Sequence, residues 1–187
     1  MSIEDRKFSF CETLSALPHD CLIVQCPKCT TFFAACCLHQ SFGGEMNDPD
    51  KNVCHHLQFV LTDGACSNNG QGYAESGLGI VVGDGELSWS ITVDDTMDSG
   101  PRTSQRAELL AAINGLKKLK EVHHCFLDME YEKNPRKAAA RRRAKAKEDY
   151  RATYIVVTDS EYVVKGITEW FPAWRVRLVH IQLNFQH

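Results

Sequence analysis

A change of hydrophobic period midway along the chain limits the fold more than any other feature of the sequence. Apolar and polar residues alternate strictly over 86–93, and a Gly-Asp-Gly turn joins this segment to a strand-like segment at 77–82. This arrangement predicts an antiparallel hairpin. Over 103–119 the apolar residues recur instead at spacings of three and four, which predicts a helix. The chain therefore combines paired strands with an amphipathic helix.

Two further strands and a second helix complete the pattern. The run Leu57–Thr62 predicts a buried strand that ends in a turn at Asp63-Gly64, and Thr153–Thr158 predicts a second β-branched strand. Asp159-Ser160 is an N-cap signal for a helix over Glu161–Trp170. The order strand, strand, strand, helix, strand, helix predicts an α/β fold with a mixed sheet. The fourth strand is expected to run parallel to the first, because a helix connects them.

Three acidic residues are predicted to meet at one edge of this sheet. Asp63 and Asp159 follow neighbouring parallel strands, and ligands bind at that edge in open α/β folds. Glu108 lies in the second turn of the helix that covers the sheet. Converging carboxylates repel one another unless a cation lies between them, and oxygen ligands suit Mg²⁺ or Mn²⁺. Taken singly, the three acids also fit a turn, a helix cap and a solvated helical charge.

The acids belong to three ordered sequence segments. These are Thr62–Cys66 with Asn68–Gly70, then Thr103–Leu109, then Val157–Val163. In this order they resemble the first three motifs of type 1 ribonuclease H. The resemblance covers residues 57–174 and implies a ribonuclease H-like α/β fold, whose mixed sheet has the strand order 3-2-1-4 followed by a fifth strand. That order agrees with the strand pairing expected above.

The resemblance implies a metal-dependent endonuclease that hydrolyses the RNA strand of RNA–DNA hybrids. In that family, the matching acids hold two divalent metals at the scissile phosphate. One metal activates the attacking water and the other stabilises the leaving 3′ oxygen. By resemblance, Asp63, Glu108 and Asp159 are the catalytic metal ligands, and the cofactor is Mg²⁺ or Mn²⁺.

Substrate contacts are implied at four further residues. Asn69 and Gln105 match family positions whose amides meet base edges and sugars in the minor groove, where RNA displays its 2′-hydroxyls. Thr103, beside Arg102, matches the position that grips a phosphate of the DNA strand. The implied partner is an RNA–DNA hybrid. From its neighbours alone, Asn69 also fits a glycine-flanked turn.

The match to the family ends after Trp174. The family continues with a helical stretch, a fifth strand and a last motif that supplies a fourth acid, whereas residues 175–187 contain no Asp or Glu. Residues 177–185 alternate and are the candidate for the fifth strand. We therefore expect a chain shortened before the last motif and lacking the fourth carboxylate. A nucleic-acid-binding module that holds hybrids without cutting them is accordingly a second hypothesis.

The first 56 residues form a Cys/His-rich region. Six of the nine cysteines lie within the first forty residues, and in a reducing compartment such crowding favours metal over disulfides. Cys26 and Cys29 have the spacing of a zinc knuckle, for which Cys36 and His39 are the predicted further ligands. Other residues that offer the same chemistry are Cys37, Cys54, His55 and His56. The alternative is a set of small thiols buried under an apolar flap.

A basic segment at 133–151 interrupts an otherwise acidic chain. Residues 117–151 hold 12 Lys and Arg residues against 6 Asp and Glu, although the net charge of the whole chain is -3. The segment is rich in alanine, which favours a helix. It fits a solvated extension, a contact for nucleic-acid phosphates or a nuclear import signal.

Composition and length place the chain among ordinary globular proteins. It has 187 residues, of which 43% are hydrophobic and 24% charged. We expect three regions: 1–56, the ribonuclease H-like domain at 57–174 and a divergent tail at 175–187, with a linker over 41–52. No segment has the length and apolarity of a membrane span, and the acidic start does not resemble a signal peptide, so we expect a cytosolic or nuclear protein without a membrane partner.

Overall fold

Six strands and four α-helices make up the part of the chain that the computed structural model describes, residues 6–36, 53–133 and 153–171. The strands are β1 (Ile23–Gln25), β2 (Phe32–Ala34), β3 (Leu57–Ser67), β4 (Glu75–Val81), β5 (Ser88–Thr92) and β6 (Thr153–Val157). The helices are α1 (Glu12–Ser15), α2 (His19–Leu22), α3 (Ser104–Lys133) and α4 (Glu161–Lys165). A 3₁₀ turn (Gly85–Leu87) precedes β5, and a π-helical turn (Gly166–Trp170) continues α4.

The central sheet has the predicted strand order. Strand β5 pairs antiparallel with β4, which pairs antiparallel with β3, so the hairpin is confirmed. Strand β6 pairs with β3 in parallel, from Leu57 opposite Thr153 to Leu61 opposite Val157. The parallel fourth strand is therefore confirmed as well. The fifth strand predicted over 177–185 lies outside the described residues.

Strand β3 is longer than predicted, and the predicted turn at Asp63-Gly64 is wrong. The strand continues through both residues, because β4 pairs with it along this stretch: Asp63 lies opposite Gly79, and Gly64 lies opposite Leu78. Glycine inside a strand commonly marks a place where another backbone approaches closely. Asp63 therefore lies within a paired strand, where its position is held by backbone hydrogen bonds on the β4 side.

Helix α3 packs on β3 and β4 and closes the main core. Val60, Ile80, Val82 and Leu119 form a fully buried cluster between the helix and the sheet. Each such aliphatic side chain contributes about 1.5–3 kcal/mol by leaving water. A second cluster, formed by Leu78, Val93, Ala107 and Ala111, lies at the amino-terminal part of the helix.

Helix α3 does not end at Leu119 as predicted but continues to Lys133. The sequence contains no glycine or proline between Leu119 and Pro135 that would stop it. The extra turns also contact the sheet, since Gln58 Nε2 of β3 donates a hydrogen bond to His123 Nδ1 at 2.5 Å. Within the described residues, no helix is both long enough and apolar enough to cross a bilayer.

The amino-terminal region adds a second hairpin to the sheet. Strands β1 and β2 pair antiparallel, and Phe33 of β2 pairs with Gln58 near the start of β3. This hairpin has a small core of its own, formed by Leu14, Val24 and Ala35. The division of the chain at residues 56 and 174 stays a prediction. The predicted linker, and the basic segment beyond Lys133, lie outside the described residues.

Candidate active site

Asp63 and Asp159 occupy corresponding positions on two adjacent chain segments. The paired part of β3 and β6 ends with Leu61 opposite Val157, so each aspartate lies two residues beyond the last pair. Both aspartates are exposed. Among the described residues, no ion pair involves either of them. The parallel register thus presents two exposed carboxyl groups to solvent just beyond the end of the β3–β6 pairing.

Glu108 reaches this edge because α3 lies unusually close to β3. A Cβ atom added at Gly64 would come closer than 3.0 Å to backbone atoms of Ala107 and Glu108, so only glycine permits this approach. Glu108 is half-buried, unlike the two aspartates. Because of this close approach, the backbone of Glu108 contacts Gly64, the residue that directly follows Asp63.

Ser160 connects Glu108 to the other aspartate. The Ser160 hydroxyl donates a short hydrogen bond to Glu108 Oε2 and accepts one from the backbone N–H of Val163 at 3.2 Å. Ser160 is therefore the N-cap of α4, as predicted, and holds the Glu108 carboxylate at the same time. Since Ser160 follows Asp159 directly, Glu108 contacts the chain neighbours of both aspartates.

The donor set at this edge suits a hard divalent cation. All three side chains offer carboxylate oxygens, which are the ligands that Mg²⁺ and Mn²⁺ prefer. Within the described residues, the three carboxylates do not form a group whose oxygens all lie within 4.8 Å of one another. A pair of metals about 3.5–4 Å apart spans a wider set of ligands than one ion does. The chemistry of Asp63, Glu108 and Asp159 therefore fits a two-metal site, and their role as ligands stays a prediction.

Substituting Ser160 tests whether its hydroxyl positions Glu108. Ser160→Ala removes the α4 cap, which should lower the free energy of unfolding by about 1–2 kcal/mol. It also frees the Glu108 carboxylate, so we expect magnesium affinity to fall about tenfold or more, as with other residues that orient metal ligands. Urea unfolding and the magnesium dependence of the thermal midpoint measure the two effects. Ser160→Thr keeps the hydroxyl and is the control; equal magnesium responses in both variants would contradict the positioning role.

Asn69 lies in a tight loop that is fastened to the start of α3. The backbone of Asn68 is left-handed, with φ of 49°. Asn69 Oδ1 accepts a hydrogen bond from Ser104 N at 3.1 Å, and Gly70 N donates to Arg102 O at 2.7 Å. The predicted substrate residue Asn69 is therefore also a structural residue, which caps the helix that carries Glu108. Within the described residues, its amide nitrogen has no hydrogen-bond partner and is exposed with the rest of the side chain.

The other predicted substrate residues lie at the same helix end. Thr103 Oγ1 accepts a hydrogen bond from Arg106 N at 3.3 Å, which confirms the predicted cap. Gln105 is exposed in the first turn of α3. The Arg102 side chain is only 13% exposed and pairs at 2.8 Å with Asp95, which is itself exposed. The structure thus places Asn69, Thr103 and Gln105 at the start of α3 and pairs Arg102 with an exposed carboxylate of the preceding loop.

The loop before α3 is held by a second arginine. Arg106 pairs with Asp98 at 2.5 Å, and this hydrogen bond keeps the pKa of Asp98 below its ordinary value. Asp94 accepts hydrogen bonds from the Thr96 hydroxyl and from the Met97 backbone, which lower its pKa in the same way. These ionised carboxylates fix the loop that leads into the candidate site.

Three of the Cys/His residues come together at the turn between β1 and β2. The Sγ atoms of Cys26 and Cys29 and a ring nitrogen of His55 all lie within 4.8 Å of one another. Cys26 is buried, and the other two are half-buried. Burial raises the pKa of the Cys29 thiol to about 11, and the nearby Cys26 adds to this effect.

Of the two other predicted zinc ligands, Cys36 is not part of this group. Cys36 is buried beside Cys54, whose pKa is raised mainly by burial and further by Cys36. His39 lies outside the described residues. The sequence placed His55 among several candidates, but nothing in the spacing singled it out. The zinc ligand set stays a prediction.

Two functional features of the carboxylate site were missed by sequence reasoning. Gly64 was interpreted as a turn residue, whereas it permits the close approach of α3. Ser160 was interpreted as a helix cap alone, whereas it also binds Glu108. A glycine inside a strand-like run was the available signal for the first feature. The second depends on a contact between residues that are far apart in sequence and had no local signal.

Comparisons with known proteins cover the segments that carry the candidate site. A model of the RNase H family matches residues 56–186. Ribonuclease H of Bordetella avium is 30% identical over 122 residues, which cover 65% of this chain and 56% of that protein. Ribonuclease H of Marinobacter nauticus is 36% identical over 119 residues, covering 62% and 54% respectively. Mouse ribonuclease H1 is 28% identical over 118 residues, covering 63% of this chain and 30% of that protein.

The matched lengths differ between the relatives. The chain spans about half the length of the two bacterial proteins that it matches. Among solved structures, a foamy viral protease-reverse transcriptase in complex with dsDNA aligns with a TM-score of 0.32 and 23% identity, covering 64% of this chain and 58% of that one. The family model covers well over half of the chain, including all three acids of the candidate site. The chain therefore belongs to the ribonuclease H family.

Proposed function

We propose that this chain is a metal-dependent endonuclease that hydrolyses the RNA strand of RNA–DNA hybrids. Its membership of the ribonuclease H family supports the proposal, as do relatives that are themselves named ribonuclease H. The observation that carries it is the position of Glu108, which contacts Gly64 beside Asp63 and Ser160 beside Asp159. Contacts to both neighbours bring three carboxylates from distant parts of the chain to one edge of the sheet.

The three carboxylates would hold divalent ions, Mg²⁺ or Mn²⁺. When bound, such ions supply Lewis-acid activation of water and neutralise charge at the scissile phosphate. Asp63 and Asp159 are exposed, and within residues 6–36, 53–133 and 153–171 no Lys or Arg forms an ion pair with either of them. Ser160 keeps Glu108 in one orientation, so that less conformational freedom is lost when the ions bind.

The substrate residues would act at the amino end of α3. The positive end of the α3 dipole favours a phosphate here, although the Ser104 and Arg106 N–H groups are already bonded to Asn69 and Thr103. Thr103 and Gln105 lie in or beside the first turn, and Glu108 lies one turn further on. Asn69 uses its carbonyl oxygen to hold Ser104 and keeps its N–H groups for a substrate acceptor. A hybrid bound there would lie directly against the acids. RNA–DNA hybrids are a substrate that fits a nuclear or cytosolic protein.

A second candidate function is binding of hybrids without cleavage. It is favoured by residues 175–187, which contain no Asp or Glu and so offer no fourth carboxylate. A site of three carboxylates binds metal more weakly than a site of four, whereas phosphate contacts depend on basic and amide groups. The two candidates therefore differ in cleavage and agree in binding.

A labelled RNA–DNA hybrid of mixed sequence tests the proposal. We expect the full chain to cut the RNA strand internally when Mg²⁺ is present and not when EDTA replaces it. Double-stranded DNA and double-stranded RNA of the same sequence are the controls and should stay intact. Hybrid binding in EDTA, measured by fluorescence anisotropy at several salt concentrations, should weaken steeply as salt rises. Binding without any cleavage would favour the second candidate, and absence of both would contradict the two together.

A further inference from the structure

The turn between β1 and β2 presents two thiols in the same direction. Thr30 N donates to Cys26 O at 2.8 Å, and Cys26 N donates to Thr31 O at 3.0 Å, so residues 26–31 form a closed turn. Thr30 is left-handed, with φ of 57°, a conformation that β-branched residues rarely adopt. The turn keeps this unfavourable backbone while it brings Cys26 and Cys29 to the same point.

His55 is held against this turn from the other side. Its ring stacks on Phe33 of β2 with centroids 4.3 Å apart and an angle of 8° between the planes. Its carbonyl oxygen accepts a hydrogen bond from Gln58 Nε2 at 3.2 Å. His55 is therefore orientated before any ligand binds, and it lies two residues before β3, the strand that carries Asp63.

We infer that Cys26, Cys29 and His55 bind a zinc ion, which fastens the β1–β2 hairpin to the start of β3. The ligand atoms already lie within 4.8 Å of one another. Tetrahedral zinc needs separations of about 4 Å, given bonds of about 2.3 Å to sulfur and 2.0–2.1 Å to nitrogen, so a small adjustment suffices. Two thiolates and an imidazole select zinc over Mg²⁺, which prefers oxygen ligands. One of the four tetrahedral positions is left for a further ligand.

The site has a structural purpose in the fold. Among the described residues, β2 pairs with β3 at one position only, Phe33 opposite Gln58. Further backbone bonds attach the hairpin to the end of β4, such as Phe32 N to Val82 O at 2.9 Å. A metal shared by the turn and His55 would add a strong link on the β3 side. The ion would thus connect the amino-terminal hairpin with the strand that positions the carboxylate site.

Zinc content of the full-length protein tests the inference. Protein purified without chelators and with its thiols reduced should contain about one equivalent of zinc by atomic emission. Cys26→Ser and His55→Ala should each fall below about a tenth of an equivalent, because three protein ligands cannot be reduced to two without large loss of affinity. Cys66→Ser, which removes a half-buried thiol at the far end of β3, is the matched control and should keep its zinc.

Two further measurements separate loss of zinc from loss of folding. Cobalt(II) bound to the wild-type protein should show the visible bands and thiolate charge-transfer absorption of tetrahedral coordination, and His55→Ala should lose them while its far-ultraviolet circular dichroism persists. Chelation should lower the thermal midpoint of the wild type by several degrees and leave that of His55→Ala unchanged. Less than about a tenth of an equivalent of zinc in the reduced wild type would overturn the inference. Loss of zinc from Cys36→Ser but not from His55→Ala would overturn this ligand set.

Discussion

Replacing Gly64 with alanine is expected to destabilise the protein by about 3 kcal/mol or more, at the upper end of the cost of overpacking a core. The added Cβ would come closer than 3.0 Å to backbone atoms of Ala107 and Glu108. Backbone cannot rotate away as a flexible side chain can, so α3 must move off β3. Glu108 moves with the helix and leaves the carboxylate edge. Urea unfolding should show the lower stability, and stabilisation by Mg²⁺ should be lost as well.

The control for this substitution is Gly77→Ala in the neighbouring strand. A Cβ at Gly77 would meet its nearest neighbour, the Ile91 carbonyl oxygen, at 3.8 Å, an ordinary contact. Its stability should therefore equal or slightly exceed that of the wild type, since alanine loses less backbone entropy on folding than glycine. If the free energies of unfolding of Gly64→Ala and Gly77→Ala differed by less than about 1 kcal/mol, the close approach of α3 would not be what positions Glu108.

The exchange Asp63→Asn is expected to lower hybrid cleavage by at least about 100-fold without lowering stability. Asparagine has the size of aspartate but lacks the charge. Metal ligation supplies several kcal/mol of transition-state stabilisation, and each loss of about 1.4 kcal/mol lowers the rate tenfold. Because Asp63 is exposed and has no ion pair within the described residues, nothing internal is lost. Single-turnover cleavage of a labelled hybrid and thermal unfolding measure the two quantities.

Asp84→Asn is the matched control for this charge removal. Asp84 is likewise exposed and caps the 3₁₀ turn before β5 by accepting from Gly85 N at 2.8 Å. Asparagine caps equally well, so both cleavage and stability should be retained. A cleavage rate for Asp63→Asn within a few-fold of that for Asp84→Asn would show that Asp63 is not a metal ligand. A parallel fall in stability would instead show a structural role for the carboxylate.

Local sequence chemistry was sufficient to predict most of the central sheet. Alternation over 86–93 predicted the hairpin, and the helix between two apolar strands predicted their parallel pairing. The hydroxyls of Thr103 and Ser160 predicted both helix starts, because a cap interacts with a backbone N–H only three residues away. Such features depend on neighbours within one turn or one strand and are visible in a single sequence.

Features that depend on distant partners were predicted poorly or not at all. Asp63-Gly64 has the composition of a turn, but pairing with β4 extends the strand through it. The end of α3 was placed at Leu119, where the apolar pattern weakens, although Gln58 contacts the helix beyond that point. The hydrogen bond from Ser104 N to Asn69 Oδ1 was not predicted, while the substrate role of Asn69 stays a prediction. In each case a long-range contact outweighed the local preference.

The sequence by itself determined the order of the strands and the starts of the helices, because periodicity and caps are local properties. It also pointed to the three acids, whose role as metal ligands stays a prediction. Only the tertiary structure decided that Glu108 contacts the neighbours of both aspartates, and that His55 joins Cys26 and Cys29. These groupings unite residues separated by tens of positions, and their distances depend on how closely α3 and the first hairpin pack on β3. That packing is set by shape complementarity at places such as Gly64, which no local pattern reveals.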